Sequence, residues 1–196
     1  VARSFTRAEL ESYRDREVPD LLPGPGDPDL RLLFVGINPG LWTAATQTHF
    51  AHPGNRFYPA LFLAGILERR IDPAAGMSDE DRDHLRSRGI GITNVVRRAT
   101  AKASELTPEE YRAGGLALVE TVRRARPCVV AVAGITAYRA AFALPKAVPG
   151  RQPEPLAGAD LWVVPNPSGL NAHETVASLA EAYAAPARAA GILPGA

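Results

Sequence analysis

Four short apolar runs, at residues 32–37, 90–96, 128–133 and 161–164, constrain the fold of this chain more than any other feature. Each is nearly continuous in Val, Ile, Leu and Ala and is bounded by turn residues. Such runs read as strands buried on both faces, as in a parallel sheet. Helix signals fill the spaces between them. Thr6 with Glu9 forms a capping box and predicts a helix over 6–17. Ser78 with Asp81 starts a second helix that Gly89 stops. Thr107, Pro108 and Glu110 supply the N-cap, first-turn proline and third-position acid of a helix reaching about residue 126. Shorter helices are expected over 55–67 and 136–143, and a last one over 172–190. Strands alternating with helices predict an α/β fold: a three-layer α/β/α sandwich around a short, mostly parallel, four-stranded central sheet.

The 196 residues suit a single domain, with the Pro/Gly connector 19–28 carrying the N-terminal helix into a core at 30–190. One cysteine, Cys128, leaves no partner for an internal disulfide and too few thiolates for a Cys-based zinc or iron–sulfur site. His49, His52, His84 and His173 show no metal-ligand spacing, so neither a metal nor a cofactor is expected. No apolar run approaches the ~20 residues of a membrane span, and the first residues are not signal-like. The expectation is a cytoplasmic monomer with no membrane partner. A net charge of +1 neither demands nor excludes nucleic acid, because placement matters more than the sum.

Ligands of open α/β sheets bind outside the carboxyl ends of the strands. The first such exit reads Gly36-Ile37-Asn38-Pro39-Gly40, followed by a loop to Phe50-Ala51-His52-Pro53-Gly54-Asn55-Arg56-Phe57. It lacks the lysine and hydroxyl of a phosphate loop. Taken alone, Asn38 reads as a turn residue. The second exit ends in Asn94, whose amide can donate and accept together. The last reads Asn166-Pro167-Ser168-Gly169-Leu170-Asn171. Asn171 with Glu174 there resembles a helix start, whose backbone donors suit a phosphate. Leu170 in a small-residue turn suits an apolar wedge between bases. Arg56, Arg97, Arg98 and Lys102 follow these exits as candidate phosphate contacts, which would make binding salt-dependent.

The ordered motifs GINPG, FAHPGNRF and NPSGLN resemble the mismatch-specific uracil-DNA glycosylase and thymine-DNA glycosylase family, over about residues 32–183. The resemblance implies the fold already argued and an enzyme that flips uracil, best from G·U mismatches in double-stranded DNA, and hydrolyses its N-glycosidic bond. It implies that Asn38 orients the attacking water and that Phe50 stacks on the extruded base. Ile37 and Phe50 would lend backbone N–H groups to the base oxygens, and Thr43 would line the pocket near the C5 edge. Asn94 stands where some relatives carry lysine and others asparagine. Ser168, Gly169, Leu170 and Asn171 match the loop that enters the duplex. Trp42 and Thr43 follow GINPG where relatives often have small residues, and Asn171 stands where serine is common.

An asparagine can position water but cannot take its proton. General-base assistance is worth about 10²–10⁴ in rate, so an asparagine-only site predicts slow turnover. Asp72, Asp79 and Asp83, at or near the start of the 78–89 helix, are candidate auxiliary bases, with solvated helix-start charges as the plain alternative. His52 suits a structural hydrogen bond in its turn, and His49 carries no special signal. Two other classes stay open: a non-catalytic α/β module binding nucleotide or nucleic acid, and a hydrolase using Ser168. The second lacks the GxSxG elbow.

Overall fold

The computed structural model describes residues 4–195. It contains strands β1 (Leu32–Gly36), β2 (Ile90–Asn94), β3 (Val129–Ala133), β4 (Gly150–Arg151) and β5 (Asp160–Val164). The helices are α1 (Arg7–Glu11), α2 (Leu41–Thr46), α3 (Phe57–Leu63), α4 (Asp79–Ser87), α5 (Pro108–Ala125), α6 (Ile135–Phe142) and α7 (Val176–Ala189). The sheet order is β2-β1-β3-β5-β4; the four apolar runs are parallel and β4 is antiparallel to β5. The sheet therefore has five strands rather than four. The fifth is two residues long and carries no apolar run, so hydrophobic pattern could not reveal it.

Every residue of β1 and β3 is buried, as expected for central strands covered on both faces. Leu32 and Phe34 point into a cluster with Phe57, Leu61, Leu85, Leu179 and Tyr183, from α3, α4 and α7. Leu33 and Val35 point into a second cluster with Leu118, Val122, Tyr138 and Ala141, from α5 and α6. The period-two alternation thus divides one strand between two helical layers. A small third cluster of Val18, Leu41, Ala44 and Ala99 seats the N-terminal segment against α2.

The caps at Thr6, Ser78 and Thr107 form as the sequence implies, each side chain accepting from the backbone N–H three residues on. The N-terminal helix is shorter than 6–17. It ends at Glu11, and the chain then turns so that Leu10 and Tyr13 pack on the third cluster. The last helix starts at 176 rather than 172, because Thr175, not Asn171, caps it through Ser178. The 19–28 connector is also more than a link. Leu21 exchanges backbone hydrogen bonds of 2.9 and 2.8 Å with Ile92, closing the outer edge of β2.

Helix α5 lies close against the segment that follows β2. A Cβ at Gly114 would collide with the carbonyl of Val95. Gly114→Ala gains about 1 kcal/mol of helix propensity but loses about 1–3 kcal/mol to overpacking against backbone. A net loss of stability is expected in urea unfolding, and a more stable variant would show that α5 shifts freely.

Candidate active site

The parallel register sets Gly36 opposite Asn94, and Ala133 opposite Val164. The exits that carry Asn38, Asn94 and Asn166 therefore open on one edge of the sheet. Gly36 has a local reason to be glycine: an added Cβ would meet Asn94 Oδ1 and the rim of the Phe50 ring. The first strand thus ends in a residue small enough for the second strand's amide and the loop's aromatic ring to converge over it.

Asn38 is held by its nitrogen. Nδ2 donates to the carbonyl of Arg98 at 2.9 Å, to Thr100 Oγ1 at 2.8 Å and to the carbonyl of Pro39 at 3.2 Å. The Thr100 hydroxyl proton goes to the Lys102 carbonyl at 2.9 Å, so its oxygen must accept from Asn38. That assigns the amide, and no described residue donates to Oδ1. Backbone bonds from Val96 N to the Ile37 carbonyl and from Thr100 N to the Pro39 carbonyl tie the two exits together. Sequence reasoning passed over Thr100, whose partner lies 62 residues away.

Phe50 has φ +56, an unfavourable left-handed conformation for an aromatic residue. Its ring stacks on Phe57 with centroids 4.1 Å apart and planes 27° apart, so that Phe57 covers one of its faces. No described residue accepts from its backbone N–H. The loop is pinned by Tyr58, whose buried hydroxyl donates to the His49 carbonyl at 3.0 Å. Burial pushes the Tyr58 phenol far above its ordinary range, so it remains a donor.

Asn94 Nδ2 lies 3.2 Å from His49 Nδ1, and His49 Nε2 lies 3.0 Å from the Pro19 carbonyl. His49 is buried, and desolvation lowers its pKa below the ordinary value. Thr43 is buried on α2. Trp42 turns its bulk to packing: its indole N–H donates to Ala74 at 2.9 Å and its ring sits edge-on to Phe5 and His52. His52 Nδ1 accepts from Gly54 N at 3.0 Å, the turn-stabilising role its motif suggests.

The 168–171 turn projects Leu170, which is 90% exposed. Ser168 serves the turn, with Oγ accepting from Leu170 N at 3.3 Å. Asn171 donates to the Asn166 carbonyl at 3.1 Å. Gly169 lies so close to the Gly54 carbonyl that a Cβ would not fit. Arg56 closes this junction by donating to the carbonyls of Ser168 and Asn171, each at 2.8 Å, and of Glu174. It is a clamp between the two loops rather than a free cation.

The other expected phosphate contacts are also engaged. Arg97 bonds to Asp20 at 2.6 Å; Arg98 bonds to Glu110 and Asp15, each at 2.7 Å. Those carboxylates raise the Arg98 pKa still further above its ordinary value. Lys102 has no ion pair among the described residues. Asp72 accepts from Ala74 N at 3.1 Å, Asp79 is fully exposed 3.9 Å from Arg82, and Asp83 lies 3.5 Å from Arg86. Each of these contacts lies within three residues of chain, and among the described residues none of the three carboxylates bonds to Asn38 or its partners. Among the described residues there is no group of three or more His, Cys, Asp or Glu side chains that could hold a metal, and no helix long and apolar enough to cross a membrane.

A sheet edge that gathers two oriented amides, a strained aromatic ring and a projecting leucine is equipped to hold a flat, polar-edged ring beside a positioned water. The family model described as the uracil DNA glycosylase superfamily matches residues 23–186, which takes in every one of these features. With most of its length matched, the chain belongs to the uracil DNA glycosylase superfamily.

Proposed function

We propose that the protein is a monofunctional, mismatch-specific uracil-DNA glycosylase that flips uracil from duplex DNA, best opposite guanine, and leaves an abasic site. Membership in the superfamily supports a DNA glycosylase of base excision repair. The observation that supports hydrolysis by a positioned water is the fixed amide of Asn38, with Nδ2 consumed by protein acceptors and Oδ1 left to accept from a water.

In this mechanism uracil enters beside the Gly36 edge, its ring stacked on the phenyl face that Phe57 does not cover. Asn94 pairs with the base edge, and the backbone N–H groups of Ile37 and Phe50 receive its oxygens. As the glycosidic bond lengthens, the sugar gains positive charge and the departing base becomes an anion, which these preorganised donors stabilise. Water held by Asn38 adds to the sugar carbon and releases its proton to solvent. Leu170 fills the space the base has left, at a mismatch where flipping costs least. Thr43 bounds the pocket near the C5 edge.

Labelled duplexes with one uracil opposite guanine, incubated with the protein and treated with alkali, should break at the uracil. Asn38→Ala should slow release at least ~100-fold while duplex binding persists. Intact strands at low salt with excess enzyme would instead favour a non-catalytic nucleic-acid-binding module. Loss of activity on Ser168→Ala alone would favour the hydrolase reading.

Three further outcomes follow from how the site is held. Thr100→Val should lower kcat about tenfold with little change in KM, while Thr100→Ser retains activity, because only a hydroxyl can accept from Asn38. Asp72→Asn, Asp79→Asn and Asp83→Asn should each leave the pH–rate profile unchanged, and a lost acid limb in any of them would identify a base. Arg56→Met should cost about 2–4 kcal/mol by orphaning three carbonyls, read as a lowered urea midpoint and faster hydrogen exchange over 168–175.

A further inference from the structure

We infer that His49 is a positioning residue that locks the Asn94 amide in one orientation, so that the pocket reads uracil and rejects cytosine. The inference rests on the glycosylase reading above and deepens it.

For a neutral ring the geometry leaves one consistent arrangement of hydrogens. The Pro19 carbonyl can only accept, so His49 Nε2, 3.0 Å away, carries the ring proton. In a neutral imidazole the other nitrogen then presents a lone pair. Asn94 must answer with an N–H, and its Nδ2 stands 3.2 Å from Nδ1. If the amide turned over, Oδ1 would face that lone pair with no hydrogen between them. The Asn94 oxygen is thereby directed to the Gly36 side of the site, where a glycine Cα alone leaves room for it.

The ring is kept neutral by its surroundings. Burial opposes the charged form most strongly; the positive charges of Arg97 and Arg82 also oppose it, while the Pro19 carbonyl and Asp20 favour it. Asp20 is partly neutralised by the Arg97 guanidinium and by a 2.7 Å bond from Thr93 Oγ1. The ring is also fixed in space. Its own carbonyl is held by Tyr58, and Pro19 is anchored by the Leu21–Ile92 bridge on the edge of β2.

The consequence is a chemical preference. One Asn94 N–H and the Oδ1 acceptor remain for the base. Uracil presents an acceptor at O4 and a donor at N3, which a fixed amide can match. Cytosine presents the reverse, a donor at N4 and an acceptor at N3. To pair with cytosine, Asn94 would have to turn over and lose its bond to His49. An asparagine free to turn would accept either base.

The test compares wild type, His49→Gln and His49→Leu on duplexes holding uracil or cytosine opposite guanine, with the histidine ring followed by ¹⁵N NMR in the wild-type protein. Glutamine can donate to Pro19 and accept from Asn94, so it should keep the uracil-over-cytosine ratio within about threefold, whereas leucine should lower it about 10–100-fold, the scale of one misplaced buried hydrogen bond. NMR should show the neutral Nε2–H tautomer at pH 7. An unchanged ratio in a folded His49→Leu protein, or a cationic or Nδ1–H ring in the wild type, would overturn the inference. Should the wild-type protein release no uracil, the glycosylase reading fails, and the tautomer still decides whether His49 holds Asn94 in this way.

Discussion

The parallel pairing of β1 with β2 is the constraint on which the site depends. It sets Gly36 beside Asn94 and, one step further along, ties the Ile37 carbonyl to Val96. A slip of one residue would turn Asn94 to the opposite face and replace it with Thr93 or Val95. That register is held by the core, not by the site. Leu32 and Phe34 face one buried layer while Leu33 and Val35 face the other, so a slip would misplace four large side chains at once. Precision at the polar edge is inherited from apolar packing several residues below it.

Charge plays a different part from the one a basic edge suggests. Arg97 and Arg98 lie beside the site, but their guanidiniums face Asp20, Glu110 and Asp15. Arg98 is partly exposed, so its pairs contribute little to stability compared with buried contacts. They do restrain the segment whose carbonyl, that of Arg98, accepts from Asn38. With Arg97 and Arg98 paired to carboxylates, these two guanidiniums offer less to a phosphate backbone than their place at the edge suggests. Under the proposed function, recognition would lean on backbone donors, the Leu170 wedge and the ease with which a mismatched base leaves its stack.

Local patterns made much of this legible before any coordinates. The strand runs, the caps at Ser78 and Thr107, and the polar exits after β1, β2 and β5 each lie within a few residues of sequence, where periodicity and capping chemistry operate. What escaped were contacts made across long stretches of chain. His49 looked unremarkable because its meaning lies in Pro19, 30 residues before it, and Asn94, 45 residues after it. Arg56 looked like a phosphate contact because the three carbonyls it holds lie 112–118 residues on. The Asn171–Glu174 spacing suggested a cap, but Thr175 competes for that role with a serine three residues beyond it. Spacing alone could not rank the two. The two-residue β4 had no pattern to read.

The aromatic loop shows how these long contacts and the local strain fit together. A left-handed phenylalanine costs on the order of 1–3 kcal/mol and persists only where its neighbours over-determine it. Here the supports all come from the segment 55–58 that follows it. Tyr58 holds the carbonyl just before Phe50, Phe57 stacks on the ring, and Asn55 Oδ1 accepts from Phe57 N at 2.9 Å, so that α3 begins where the ring needs support. The backbone turn that strains Phe50 leaves its N–H without an acceptor among the described residues. The same turn brings His49 inward to Asn94. Relaxing Phe50 to an ordinary conformation would therefore move the stacking face, the backbone donor and the support for Asn94 together. The strain and the site are one construction, and α3, packed into the core through Phe57 and Tyr58, is what sustains both.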